Sequence, residues 1–333
     1  MKRIAVTGSS GYIGARLVAA LSACAEVQAV VGLDVREPVG PSAGPSAAAR
    51  IRHVPTDVRL PFAETLVRAG VDAAVHLAFA FDPHIPPHTA RAINLDGTRH
   101  FLAACAAAGV RRAIVVGSAT AYGAYRDNPP YLSESHPLRA GPAFVYAHHK
   151  RLCDEMCAAF AVEHPDVRLC VARPPLVVGE RVDNYVSRMM LKPKVVVIRG
   201  DDPAMQFIHE DDLCAAIVAL LRTDVVGPIN VAPADTVTLT QVAAEFKRAP
   251  LAVSAGAARL LGGVTRALRL RFLNETPPGA LDYIRFPWVI DGGRFLRETG
   301  VHLSHSSLDA VRAWRKAIVE RAEKGTLRGK VRV

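Results

Sequence analysis

Tyr146 and Lys150 stand four residues apart in the run Tyr146-Ala-His-His-Lys150, a spacing that puts a phenol and an ammonium on one face of a helix. A phenol with its ordinary pKa near ~10 is a poor base at neutral pH. A neighbouring ammonium stabilises the phenolate and brings that pKa down, so the tyrosine can take a proton from a hydroxyl or return one to a carbonyl oxygen. Ser118, in Val116-Gly-Ser-Ala-Thr-Ala-Tyr-Gly123, offers a hydroxyl to hydrogen-bond that same oxygen. Far upstream, Thr7-Gly-Ser-Ser-Gly-Tyr-Ile-Gly14 spaces glycines at Gly8, Gly11 and Gly14. A tight glycine turn opening a helix lets backbone N–H groups approach a pyrophosphate, where the helix dipole favours negative charge. Asp34 follows twenty residues beyond Gly14. Its carboxylate suits the ribose hydroxyls of NAD and repels the 2′-phosphate of NADP, although Arg36 nearby can receive that phosphate.

These groups need a scaffold that brings residues 8, 34, 118 and 146 together, and the hydropathy pattern supplies one. Ile4–Val6, Val27–Leu33, Ala73–Leu77, Ala113–Val116 and Val167–Ala172 read as buried strands. Tyr12–Ala23, Leu60–Ala69, Thr89–Ala108 and Phe144–Glu163 read as helices between them. Strict alternation means a parallel sheet with right-handed crossovers. The turn then lies after the first strand, Asp34 after the second, Ser118 after the fifth. Beyond Arg173 the pattern loosens: Val195–Ile198 and Ile229–Val231 are expected strands, with Asp211–Leu221 a helix. Pro38–Ala49 is low-complexity and reads as a surface loop, and residues 256–270 form a basic amphipathic stretch with Leu260, Leu261, Val264 and Leu268 on one face.

With the turn, Ser118 and the Tyr146–Lys150 pair in this order, the sequence resembles the extended short-chain dehydrogenase/reductase superfamily, or NAD-dependent epimerase/dehydratase family. The resemblance runs from Lys2 to about Val231. It implies a Rossmann-type doubly wound parallel sheet with a smaller, mostly helical C-terminal substrate lobe. Residues 1–175, with 205–232 returning, would bind NAD; 176–204 and 233–333 would bind the substrate. It also implies Ser118, Tyr146 and Lys150 as the catalytic group, with Tyr146 and Lys150 contacting the cofactor as well. Gly8, Gly11, Tyr12, Ile13, Gly14 and Asp34 would contact the cofactor. So would Asp57-Val58 after the third strand, Leu77-Ala78 of the fourth-strand segment, Asn94 of Asn-Leu-Asp-Gly-Thr98, and Arg173-Pro174. Phe79, Ser118, Thr120, Leu176 and Met205 are the implied substrate contacts. Leu132-Ser-Glu134 resembles the family's acidic loop, and Phe207-Ile-His-Glu-Asp-Asp212 its returning segment.

The departures narrow the chemistry. Nucleotide-sugar members carry Asn three residues after the arginine matching Arg173, where this chain has Leu176. They often carry Arg before the Phe-Ile-His segment to hold a diphosphate, where this chain has Met205-Gln206. Sugar dehydratases place Asp-Glu after the strand-end hydroxyl residue; Ala119-Thr120 stands here. Arg173-Pro-Pro-Leu-Val-Val-Gly179 is closer to the hydroxysteroid-dehydrogenase and ketone-reductase branches. The expected reaction is reversible hydride transfer at a secondary alcohol or ketone carbon, with nucleotide-sugar epimerisation by the same group and a non-catalytic NAD-sensing module as alternatives. Arg181, Arg188 and Lys192 remain available for phosphate contacts.

Charge and composition bound the rest. Forty-one Lys and Arg against 31 Asp and Glu give a net charge of +10, yet the bases are dispersed without interleaved aromatics, which argues against nucleic acid. No apolar run approaches the ~20 residues of a bilayer span. Six scattered cysteines form no disulfide framework, and the first strand leaves no room for a signal peptide, so a cytoplasmic location is expected. Cys153 and Cys157 share a helix with no second ligand pair, and no metal is expected. His148 and His149 read as structural or solvent-facing, and Asp82–His88 as a stiff loop or a substrate border. The expected partner is a small-molecule substrate, with a homodimer left open.

Overall fold

The run Ala73-Ala-Val-His76 is buried along its whole length because its strand is covered on both faces, as continuous apolar runs in a parallel sheet require. The computed structural model describes residues 3–38, 48–267 and 279–324. Among them the strands are β1 (Arg3–Thr7), β2 (Ala29–Asp34), β3 (Ile51–Pro55), β4 (Ala73–His76), β5 (Arg112–Val116), β6 (Arg168–Arg173), β7 (Leu176–Val178), β8 (Lys194–Ile198), β9 (Ala204–Met205), β10 (Phe207–His209), β11 (Gly227–Asn230), β12 (Val237–Thr238) and β13 (Ala249–Val253). Seven of these form one sheet in the order β3-β2-β1-β4-β5-β6-β11. Every neighbouring pair is parallel. The order reverses between β1 and β4, and the carboxyl ends at such a reversal are where doubly wound sheets bind ligands.

The two-residue period of the strands divides the core into two layers. Ile4, Val6, Val30, Val75 and Ile114 pack on one face against Leu17 and Leu21 of helix Tyr12–Ala23 and Leu213 and Ile217 of helix Glu210–Arg222. Ala5, Val31, Leu33, Ala74 and Val115 pack on the other against Leu66, Phe101 and Phe160. Each fully buried Leu or Phe contributes about 1.5–3 kcal/mol of transfer free energy. A third cluster gathers Tyr122, Phe144, Val195, Phe207, Trp288 and Trp314, and so lies beside the carboxyl ends of the sheet. Its scaffold includes the parallel pairs β7–β10 and β8–β13 and the antiparallel pair β9–β12.

Arg112, buried at the start of β5, ties the sheet to the chain's later part. Its guanidinium donates to Leu220 O at 3.0 and 2.6 Å, to Arg168 O at 3.3 Å and to Val225 O. No carboxylate is needed: three carbonyls fix the charge.

The expected strands and helices are present with shifted ends and three further differences. Helix Ala63–Ala69 begins later than Leu60, because Pro61 holds the residue before it out of helical conformation. Strand β3 escapes the apolar pattern because it is a sheet edge, half-buried, with Arg52 and His53 inside it. The expected helix over 89–108 is helix Pro87–Arg91, a π-turn at Ala92–Asp96 and helix Gly97–Ala107. Asn94 and Thr98, four residues apart, both face inward, where the Thr98 hydroxyl donates to Asn94 O at 2.6 Å. The amphipathic stretch forms helix Ala255–Ala267; Leu268–Leu270 and most of the Pro38–Ala49 loop lie outside the described residues.

Candidate active site

The glycine turn closes on itself between β1 and its helix. Gly8 takes φ +68°, the left-handed region, and a Cβ there would meet Ala78 N at 2.7 Å. A Cβ on Gly14 would lie 2.0 Å from Gly8 O. Backbone therefore packs on backbone at both positions, leaving a cradle over the N-terminus of helix Tyr12–Ala23. The Asp34 carboxylate, at the end of β2, accepts from Ser10 N and Arg36 N, both at 3.0 Å. A carboxylate has about four acceptor positions, so capacity remains for a ribose diol. The exposed Arg36 guanidinium is 3.6 Å from the same carboxylate. The cradle and the acidic strand end thus fit NAD.

One cleft of about 1530 Å³ runs from this turn, past the ends of β4 and β5, to the third core cluster. Gly8, Gly11, Tyr12, Ile13, Gly14, Asp34, Asp57, Val58, Leu77, Ala78 and Pro174 line it. So do Phe79, Ser118, Thr120, Tyr146, Lys150, Leu176 and Met205. Asp57 stands below its ordinary pKa because Arg59 holds it in a hydrogen-bonded ion pair at 2.6 Å.

Two residues of the implied cofactor set do not line the cleft. Asn94 Oδ1 accepts from Ala80 N at 2.6 Å, and its Nδ2 donates to Ala80 O at 3.3 Å. It pins the loop after β4 from behind, with His149 at 3.2 Å. Arg173 is buried in a two-pronged pair with Asp154 at 2.8 and 2.7 Å and donates to the Tyr122 hydroxyl at 2.7 Å. Both hold the walls of the cleft.

Ser118, two residues beyond β5, is extended, and its Oγ accepts from Thr120 N at 3.2 Å and from the Thr120 hydroxyl at 2.9 Å. With both acceptances made, its own proton is left to donate. Tyr146 lies on the first turn of helix Val145–Glu163, hydrogen-bonded to Ser118. Phe79 and Phe81 meet its ring edge-on, with centroids 5.5 and 4.7 Å away, and Phe144 packs at 5.8 Å. Burial among these rings pushes the Tyr146 phenol up to about 12, and the Ser118 hydrogen bond opposes that rise.

The Lys150 ammonium donates to Val116 O at 2.7 Å and lies 3.7 Å from the centre of the Phe79 ring. Burial pushes it down to about 8. Its Nζ is 5.9 Å from the Tyr146 ring centre. For these side chains burial is the larger effect on the Tyr146 phenol. Behind them the Thr7 hydroxyl meets His76 Nδ1 at 2.7 Å, and burial first, then Lys150, pushes His76 down to about 3.

Several lining residues carry no sequence motif. Tyr283 donates to Thr120 O at 2.7 Å, and the Trp288 ring meets Tyr283 edge-on. Phe81 could be suspected from its spacing to Phe79; Tyr283 and Trp288, more than 130 residues beyond Tyr146, give no local signal. Asp82, Pro83 and Ile85 of the proline-rich loop line the cleft, as do Lys192 and Lys194. Arg181 does not, and the side chain of Arg188 lies outside the described residues. Gln206 is spent on the backbone: its amide donates to Pro233 O and Ile290 O and accepts from Ile290 N.

The model of the NAD dependent epimerase/dehydratase family matches residues 4–232. An uncharacterised protein of Mycobacterium tuberculosis is 26% identical over 314 residues, covering 93% of this chain and 82% of that one. The 3 beta-hydroxysteroid dehydrogenase/Delta 5→4-isomerase of vaccinia virus strain Copenhagen is 26% identical over 183 residues, 53% of this chain and 52% of its own. Among solved structures, the UDP-N-acetylglucosamine 4-epimerase of Methanobrevibacter ruminantium superposes with TM-score 0.73 at 18% identity, covering 96% and 99% of the two chains. That last likeness is one of fold.

Proposed function

The chain belongs to the NAD dependent epimerase/dehydratase family, and on that premise we propose that it is an oxidoreductase that transfers hydride reversibly between NAD and a secondary alcohol or ketone carbon of a largely apolar substrate. The observation that carries this reading is the apolar lining of the cleft at Leu176 and Met205. Both are apolar, and the neighbouring Gln206 has given both amide protons to backbone carbonyls, so it has no donor left for a phosphate. Burying a diphosphate there without partners forfeits its hydration. The partial likeness to the vaccinia hydroxysteroid enzyme points the same way.

NAD, when bound, supplies the hydride acceptor, and in its reduced form the donor. The glycine turn holds the pyrophosphate with backbone N–H groups, and Asp34 accepts from the ribose hydroxyls. Phe79, Phe81 and Phe144 exclude water from Tyr146. Ser118 turns the proton it shares with Tyr146 toward the substrate oxygen and orients it. Tyr146 donates its proton to the carbonyl oxygen in reduction and accepts one in oxidation. Lys150 keeps positive charge beneath the site, which favours the phenolate once the proton has left. Residues 1–175 with 205–232 serve the cofactor, and 176–204 with 233–333 the substrate.

A second reading, nucleotide-sugar epimerisation, draws on the fold shared with the UDP-N-acetylglucosamine 4-epimerase and on Lys192 and Lys194 at the cleft. Thermal-shift screening with NAD present separates the two. Stabilisation by apolar ketones or sterol-like alcohols is expected. Stabilisation by UDP- or dTDP-sugars alone would replace the first reading with the second.

A further inference from the structure

Phe79 touches both members of the Tyr146–Lys150 pair. Its ring face lies over the Lys150 ammonium at 3.7 Å, and its plane meets the Tyr146 ring at 85° with centroids 5.5 Å apart. The backbone beside it is fixed. Ala80, the next residue, donates its N–H to Asn94 Oδ1 at 2.6 Å, and its carbonyl accepts from Asn94 Nδ2 at 3.3 Å. The groups around the ammonium leave it without a counter-charge. Asp154, one turn further along the same helix, is committed to Arg173 at 2.7 Å. Burial pushes the Cys153 and Cys157 thiols of that helix up, so they stay protonated. His76 of β4 is pushed down to about 3 and is a neutral imidazole. The Tyr146 phenol, its ring centre at 5.9 Å, carries no charge until it gives up its proton. Val116 O accepts one of the three ammonium protons at 2.7 Å.

We propose that Phe79 is a positioning residue for Lys150, its ring face serving as the counter-group that holds the ammonium charged beside Tyr146. A cation over an aromatic face is attracted by the ring quadrupole, and more strongly where water is excluded. An aliphatic side chain of similar bulk would fill the same space and offer no such attraction. The ring therefore opposes the effect of burial on Lys150 and sets how far the pH can rise before its charge is lost. Asn94 contributes at one remove, by fixing the backbone from which the ring projects. The assignment concerns the charge of Lys150 and holds whichever substrate the cleft takes; its effect on turnover rests on the hydride-transfer reading.

The test is a pH titration of the whole chain, with lysine labelled by carbon-13 at Cε and read by NMR. Lys150→Met identifies the Lys150 signal by its loss. Phe79→Leu should raise the Lys150 acid dissociation constant about tenfold, so that it titrates at lower pH than in wild type. Phe79→Tyr keeps a ring face and should stay within about threefold of wild type. Pentafluorophenylalanine at position 79 keeps the ring's shape but reverses the charge on its face, and should shift the titration as Phe79→Leu does. Phe81→Leu removes a ring that meets Tyr146 and should leave Lys150 unmoved. An unmoved Lys150 with leucine or the fluorinated ring at 79, or an equal shift in Phe81→Leu, would overturn the assignment. On a confirmed alcohol or ketone, the alkaline loss of turnover should move with the Lys150 titration. A shifted titration in a chain that turns over no such substrate would uphold the assignment and overturn the hydride-transfer reading.

Discussion

The centre of the Phe79 ring lies 3.7 Å from the Lys150 ammonium, which gives a hydrogen bond to Val116 O at 2.7 Å. An aromatic face and one carbonyl are weak compensation for a buried charge, and among the described residues no salt bridge supplements them. Burial accordingly pushes Lys150 down to about 8. Below about pH 8 both folded and unfolded chains carry the proton, and the folded chain bears the full cost of the buried ammonium. Between about 8 and the ordinary value near ~10.4 the unfolded chain binds more protons, so raising pH stabilises the fold.

Lys150→Met should therefore be inactive yet more stable than wild type near pH 7, by about 1–3 kcal/mol after the lost hydrogen bond is counted. The advantage should shrink as pH rises through the window above 8. Urea denaturation at neutral and alkaline pH measures both. A variant less stable at neutral pH would mean that the ring and carbonyl compensate the charge fully.

Tyr146→Phe removes the transferable proton and leaves the surrounding rings in place. Turnover on a confirmed substrate should fall about a hundredfold to ten-thousandfold, with NAD affinity close to wild type by fluorescence titration. Turnover at the wild-type rate would remove Tyr146 from the mechanism.

On the proposed placement of NAD, Asp34 faces the position a 2′-phosphate would take. Calorimetry should give NAD the tighter binding, and Asp34→Ala should narrow the gap by about tenfold, since Arg36 is then released from its ion pair. Equal affinities for NAD and NADP in the wild type would contradict this role.

Arg173 and Asp154 make a buried two-pronged pair. Arg173→Met leaves the carboxylate uncompensated and should cost about 3–5 kcal/mol, whereas Arg173→Met with Asp154→Leu should recover much of it. Chemical denaturation of the three chains tests the coupling. If instead the single variant is stable and loses only NAD affinity, Arg173 works on the cofactor.

The sequence was most informative where chemistry fixes spacing. Gly8 and Gly14 must be glycine for backbone to pack on backbone, and a four-residue step must place Tyr146 and Lys150 on one helix face, so both features could be read without coordinates. Asn94 and Arg173 belonged to recognisable motifs, but whether a polar group points into a cleft or into the wall behind it depends on packing. The Ala80 backbone decides it for Asn94, and Asp154, nineteen residues away, decides it for Arg173. Phe79 was anticipated at the cleft, yet its stacking on Lys150 was not. Tyr283 and Trp288 were unreadable because only tertiary folding brings them to Thr120.

Arg112 joins β5 to carbonyls more than a hundred residues further along the chain. During synthesis, the first six strands of the large sheet emerge before those carbonyls exist, with this guanidinium held only by Arg168 O and β6 lacking its outer neighbour β11. A fragment ending near residue 175 would leave the cation short of two of its three carbonyls and that sheet edge open to other chains. The seven-stranded sheet is thus completed only by β11, which follows the excursion through β7 to β10. Its assembly is bound to long sequence separations and correspondingly slow.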